Sequence, residues 1–112
     1  MKKSPLQMTF TYCMMSFDSS SLTTQYSLDV HIQPNTKVGS CVYTVTEPYN
    51  EPTITFIQVF ESYRRRGVAT AMVMELERKY GRLCWDYKFT DDGRKWFNAL
   101  VERNIVKNSC FV

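Results

Sequence analysis

The stretch Ile54–Tyr80, ITFIQVFESYRRRGVATAMVMELERKY, constrains the fold of this chain more than any other. Ile54–Phe60 is β-branched and aromatic, with Glu51-Pro52 before it and Glu61-Ser62 after it. Ile54, Phe56, Gln58 and Phe60 fall on one face of a strand, Ile57 and Val59 on the other. Apolar residues on both faces predict a central strand covered on both sides. From Val68 the period changes. Ala69, Met72, Val73, Leu76 and Tyr80 recur at helical spacing, with Glu75, Glu77, Arg78 and Lys79 turned away. Glu75 and Lys79 form an i,i+4 pair in the favourable order. Gly81 stands where a helix-terminating glycine belongs. The expectation is a strand, a glycine turn and an amphipathic helix over Val68–Tyr80.

The turn between them, Arg64-Arg65-Arg66-Gly67-Val68-Ala69, is electrostatically unusual. A helix N-terminus carries partial positive charge and prefers Asp or Glu in its first turn. Here three arginines crowd that end, and the first acid within the helix is Glu75. An anion cradled by backbone N–H groups and rimmed by guanidiniums would relieve the repulsion, with Gly67 and Ala69 allowing close approach. The other reading is a solvated basic turn whose glycine serves only its backbone angle. Spacing alone leaves both open.

The 112 residues suit one domain, 1–112, with a modest core. A net charge of +3 is too mild to demand a nucleic-acid partner. Tyr63-Arg64-Arg65-Arg66 beside aromatic residues has the chemistry to stack bases and contact phosphates, but no wider basic face accompanies it. No apolar run is long enough to span a membrane. Met1-Lys2-Lys3-Ser4-Pro5 is basic, but Gln7, Thr9 and Thr11 interrupt the apolar residues after it, against a signal peptide. Cys13, Cys41, Cys84 and Cys110 are dispersed without metal-ligand spacing, so no metal site is expected. They read as reduced thiols of a cytoplasmic protein. His31 lies in a strand without metal partners and reads as structural, with a base role open. A small core and an open sheet edge make a homodimer plausible.

Along the chain, Leu6–Met15 alternates as a strand with Leu6, Met8, Phe10 and Tyr12 on one face. Asp18–Ser21 is a turn. Gln25–Gln33 alternates again, with Tyr26, Leu28, Val30 and Ile32 together. Pro34–Lys37 makes a hairpin turn, and Val38–Thr46 returns with Cys41, Tyr43 and Val45 together. Glu47–Pro52 is a proline-punctuated connection into the Ile54 strand. Arg82–Phe89 is a strand joined to the Ile54 strand by a crossover helix, hence parallel to it. Thr90 or Asp91 caps a second helix with the stripe Trp96, Phe97, Leu100 and Val101, which closes near Arg103 and Asn104. Ile105–Val112 is a last short strand. The expected order is β-β-β-β-α-β-α-β: an α+β fold with a mixed, mainly antiparallel sheet and two flanking helices.

Arg64-x-x-Gly67-x-Ala69 resembles the (Gln/Arg)-x-x-Gly-x-(Gly/Ala) signature of the GNAT superfamily of N-acetyltransferases. The context is similar too: a hydrophobic strand ending in Val59, three residues, Tyr63-Arg64, the glycine turn, and the helix Val68–Tyr80. The detailed resemblance covers about a quarter of the chain, and the order of elements extends it. It implies a GNAT-like sheet with two central parallel strands, Ile54–Phe60 and Arg82–Phe89, splayed apart around acetyl-CoA as co-substrate. The pantetheine arm would lie along the backbone of Ile57 and Val59. The pyrophosphate would sit on Arg65, Arg66, Gly67, Val68, Ala69 and Thr70, with Arg64 in the signature's first position. The implied activity is acetyl transfer to an amine acceptor, including one on a protein or peptide. Members commonly offer a Tyr acid on the helix after the second splayed strand. That helix here carries Trp96 and Phe97, so Tyr87 is the substitute candidate. Glu61 is a base candidate, along with Glu47, Asp86 and His31. The family also usually places one or two helices between its first two strands, and Phe17–Thr24 is too short for two. The alternative is a non-catalytic GNAT-like protein acting through a protein partner.

Overall fold

The computed structural model describes residues 7–33, 35–86, 88–106 and 110–111. Four long strands, β1 (Met8–Asp18), β2 (Thr23–Ile32), β3 (Thr36–Thr46) and β4 (Tyr49–Val59), form an antiparallel meander. A 3-10 turn, Glu61–Tyr63, leads to helix α1 (Val68–Tyr80), then β5 (Cys84–Trp85), α2 (Asp91–Glu102) and β6 (Cys110–Phe111). The strands lie in chain order across one mixed sheet, with β4, β5 and β6 parallel. The expected order of elements is therefore the observed one.

The alternation in β2 and β3 places Leu28, Val30, Cys41 and Tyr43 in the core as the sequence predicts. β4 behaves differently. Cys41 pairs with Ile57 and Val42 with Phe56, but Tyr43 pairs with Ile54, which leaves Thr55 as an extra residue. Its Oγ1 donates to the Val42 carbonyl at 3.2 Å. This bulge reverses the phase of the strand. Ile54 joins Ile57 and Val59 on the core face, while Phe56, Gln58 and Phe60 stand exposed. The expected strand covered on both faces is thus corrected to one covered on a single face.

α1 lies across that core face. Val68, Met72, Val73 and Leu76 are buried against the sheet, and Gly39 of β3 permits the approach. A Cβ at Gly39 would come within 3.0 Å of the Val68 side chain and of the Gln58 carbonyl. α2 lies on the same side. Ile54 and Trp85 are register partners, and the Trp85 ring meets Phe97 of α2 at 4.9 Å. Trp96 of α2 donates its indole N–H to Thr70 Oγ1 of α1 at 3.1 Å. Thr90 caps α2 by accepting from the Gly93 amide at 3.1 Å. At the other end of α1, the Gly81 amide donates to the Glu77 carbonyl at 2.8 Å.

Other expectations are corrected in detail. β4 begins at Tyr49, so the connection from β3 is a tight turn rather than the whole of Glu47–Pro52. The predicted strand Arg82–Phe89 shortens to Cys84–Trp85, because Phe89 turns inward to meet Trp85 and Phe97 at 5.7 and 5.1 Å. Leu6 and Pro34, and half of the predicted last strand (107–109 and 112), fall outside the described residues. Cys13 and Cys41 are free, and burial pushes the Cys41 thiol up to about 12. Cys84 is disulfide-bonded, which corrects the reading of four reduced thiols. Cys84 is buried where the backbone register of β5 and β6 sets it opposite Cys110, a proximity that sequence spacing does not reveal. Its sulfur also lies 3.8 Å from Glu51 Oε2, a contact without a shared proton once the sulfur is bridged. Among the described residues no helix is long and apolar enough to cross a membrane.

Helical spacing pairs Glu75 with Lys79, but the fold gives it other partners. It takes a bidentate contact from Arg78 at 2.9 and 3.0 Å and accepts the Tyr12 hydroxyl at 2.6 Å. Lys79 stands over the Tyr12 ring at 3.8 Å. Strand β1 is thereby tied to α1. The Arg78 contacts hold the Glu75 carboxyl below the usual carboxylate range, helped by Tyr12, while burial works against them. A lowered carboxylate pKa gives stability that is present above the unfolded value, 4.5, and is lost as pH falls through the folded one. Tyr12→Phe should destabilise by about 1.5 kcal/mol at pH 7. Urea unfolding repeated near pH 3 should show that cost shrinking as Glu75 protonates; an undiminished cost would assign the tyrosine's role to packing.

Candidate functional site

The site is built where β4 ends and α1 begins. The Phe60 amide donates to the Val38 carbonyl at 2.9 Å, which keeps the strand end on the sheet. The chain then tightens through the 3-10 turn, with Tyr63 N to Phe60 O at 2.8 Å and Arg64 N to Glu61 O at 3.2 Å. Arg64 turns back, and its Nε donates to the Val59 carbonyl at 3.1 Å. The first arginine of the cluster therefore clasps the strand end. Arg65 and Arg66 remain exposed, and neither has an acidic partner among the described residues.

Two left-handed residues shape the entry into α1. Arg65 has φ +62° and Gly67 φ +82°. A non-glycine residue in this region stores strain of about 1 kcal/mol or more. Gly67 occupies the N-cap position of α1, where it offers no side-chain oxygen, and the first turn contains no acid. The Ala71 amide reaches the Gly67 carbonyl at 2.9 Å and begins the helical pattern. The amides of Val68, Ala69 and Thr70 precede it and point out of the helix end without a side-chain cap. The space beside Gly67 is open, with no atom within 4 Å of a Cβ built there. Geometry and charge both favour a negative group at this end.

Beside this turn the sheet opens. β4 and β5 pair at Thr53–Cys84 and Ile54–Trp85, and the Asp86 amide donates to the Ile54 carbonyl at 2.9 Å. β5 then ends while β4 continues to Val59. Among the described residues no strand lies beside the last part of β4 on that side. This end of β4, which carries half-buried Ile57 and Val59, leads through the 3-10 turn to the N-terminus of α1.

The structure brings the turn residues Arg65, Arg66, Gly67, Val68, Ala69 and Thr70 together with Ile57 and Val59. Of the proposed acid and base residues, Glu61 is exposed on the 3-10 turn and Asp86 is exposed where β5 leaves the sheet. Glu47 lies at the opposite end of β4, its amide bonded to Leu22 O at 3.0 Å. His31 sits on β2, with β3 between it and β4. Tyr87 lies outside the described residues. Two shallow surface depressions lie elsewhere, one lined by Ser16, Phe17 and Asp18, the other by Thr9, Thr11 and His31.

The Trp96–Thr70 contact is not foreseen from the sequence. Periodicity assigns Trp96 to the apolar stripe of α2, yet its indole N–H holds the hydroxyl of a first-turn residue. The available signal is its place at the margin of the stripe, since a half-buried tryptophan N–H seeks an acceptor. Comparison with protein-family models, curated proteins and solved structures gives no match.

Gly67→Ala should lower stability by about 1–2 kcal/mol, since φ +82° disfavours a Cβ although no atom crowds it. Gly67→Asn, which tolerates this region better, should lose less. Equal losses in chemical denaturation would place the cost in the surroundings and not in the backbone angle.

Proposed function

We propose that this chain is an N-acetyltransferase of the GNAT kind, transferring the acetyl group of acetyl-CoA to an amine. The observation that carries the reading is the coincidence of the uncapped, basic N-terminus of α1 with the opening between β4 and β5. The pyrophosphate would lie on the amides of Val68, Ala69 and Thr70, with Arg65 and Arg66 at its rim. The pantetheine arm would run into the opening beside Ile57 and Val59. Arg64 is already bonded to Val59 O, so its part is to fix the strand end.

The reaction is direct acyl transfer in a ternary complex. A neutral amine attacks the thioester carbonyl, a C–N bond forms, and the C–S bond breaks with its electron pair leaving on sulfur. A base takes the amine proton, and an acid or water protonates the thiolate. A backbone N–H along β4 would stabilise the oxyanion. Glu61, on the turn that follows β4, and Asp86, whose amide bonds to the Ile54 carbonyl, are the acidic candidates, and Tyr87 comes directly after Asp86 in the chain. The uncovered flank of the sheet suits an amine on a protein or peptide. The cytoplasm, where acetyl-CoA is available, belongs to the same proposal.

The second reading is a non-catalytic GNAT-like protein that acts on a protein partner. The observation favouring it is that α2, the helix on which the family commonly offers Tyr, carries Trp96 and Phe97 and no Tyr, and that Trp96 is engaged with Thr70.

Isothermal titration with acetyl-CoA, and with CoA in parallel, separates the readings. Saturable binding that falls at least about tenfold in Arg66→Glu, a charge reversal beside the phosphates, supports the cofactor site. Absence of binding by the folded wild-type chain removes the transferase reading. Binding without turnover across an amine screen supports the non-catalytic one.

A further inference from the structure

β1 forms one edge of the sheet, and its outer rim meets no other strand among the described residues. Edge strands usually carry a lysine, a proline or an inward charge that discourages pairing with another chain. From Gln7 to Phe17 the sequence has neither a charge nor a proline. The ladder of β1 with β2 is regular from Met8 to Met14 and breaks only at a bulge at Met15. The segment is held in place from within, because Tyr12 is bonded to Glu75 and stacked by Lys79. Yet its side chains from Cys13 to Phe17 are exposed, Met14 at 68%.

We propose that β1 is the docking edge for a second copy of this chain, paired antiparallel about a two-fold axis between Thr11 and its own copy. An antiparallel pair of identical strands is self-complementary, each N–H on one meeting a C=O on the other. The axis must lie midway between one residue and its own copy. An axis set between successive positions of the strand would put the helix-facing side chains of one copy against the open face of the other. Centred on Thr11, the pairing uses the whole regular segment from Met8 to Met14. Met8 then faces Met14 of the second copy, and Phe10 faces Tyr12, all on the helix side. Thr9 faces Cys13 and Thr11 faces its own mate on the open side. Apolar meets apolar and small polar meets small polar, with no like charges opposed. The two sheets would run on as one, with every helix on the same face.

Sedimentation velocity of the full chain over a range of micromolar concentrations should show reversible dimerisation. Thr11→Lys would oppose two charges at the axis and weaken association by about fivefold or more. Thr11 is exposed, so circular dichroism should show this variant folded. The register is read independently by mild oxidation in a Cys13→Ser background. Thr11→Cys should give a covalent dimer on a non-reducing gel. Thr9→Cys should not, because its two thiols would lie on opposite sides of the axis. A wild-type chain that stays monomeric, a dimer indifferent to Thr11→Lys, or equal cross-linking by both cysteine variants would each overturn the assignment.

Discussion

Both crossover connections of this fold turn the same way, and that handedness decides where its core can lie. The chain passes from β4 through α1 to β5, then through α2 to β6, adding each parallel strand on the same side of the last. Crossovers of one hand taken in one direction must lay their helices on one face. The core is therefore a single layer between α1, α2 and the sheet, and the far face is left to water. That face carries Thr9, Thr11, Ser27, Asp29, Ser40, Thr44 and Gln58, with Phe56 and Phe60 exposed among them. Its most enclosed charge is well supported. Asp29 accepts from Ser27 at 2.6 Å and from Ser40 at 2.9 Å, and pairs with Lys37 at 3.4 Å. Burial alone would raise its carboxyl, but these partners together hold it below the usual range.

One aromatic cluster sets the shape of the opening. Trp85, Phe89 and Phe97 meet within 6 Å of one another, which requires the chain after Trp85 to leave the sheet and turn under α2. β5 is short for that reason, and β4 outruns it. The bulge at Thr55 acts on the same strand from the other side. It brings Ile54 into register with the Trp85 layer while keeping Ile57 and Val59 on the core face further along. Without the extra residue one of these sets would point at water. The wall of the candidate site is thus a by-product of how the core is filled.

The order of elements, the span of α1, the caps at Thr90 and Gly81, and the core faces of β2 and β3 are legible in the sequence. Each rests on a local signal: a period, a cap or a glycine. The features that escape a reading of the chain depend on register. A single inserted residue at Thr55 puts Ile54 and Phe56, which plain alternation places together, on opposite faces, and no composition marks it. Helical spacing offers Glu75 the basic residues Arg78 and Lys79, whereas the fold adds a tyrosine sixty-three positions away. That Cys84 is bonded, not free, is likewise not visible in the cysteine spacing. At the site, the basic turn is evident from its arginines and glycine, but the sequence treats all three arginines alike. Only the backbone separates Arg64, which closes on Val59, from Arg65 and Arg66, which face outward.

That separation bears on why the turn is built as it is. A helix start is ordinarily stabilised by an oxygen-bearing residue at the N-cap, worth about 1 kcal/mol. Such a cap requires extended backbone at that position, and Gly67 is left-handed. A serine or aspartate placed there would meet both an unfavourable angle and a side chain aimed away from the amides. The strained Arg65 just before it adds to the local cost, and two exposed cations at the positive end of a helix add more. Arg64 on the Val59 carbonyl, Trp96 on Thr70 and the buried Val68 hold the turn in place, but none of them pairs the two exposed cations. Stability alone would favour other residues at Arg65, Arg66 and Gly67. The proposed phosphate site rests on these same features: first-turn amides without a side-chain cap, open space beside Gly67 and two outward-facing cations.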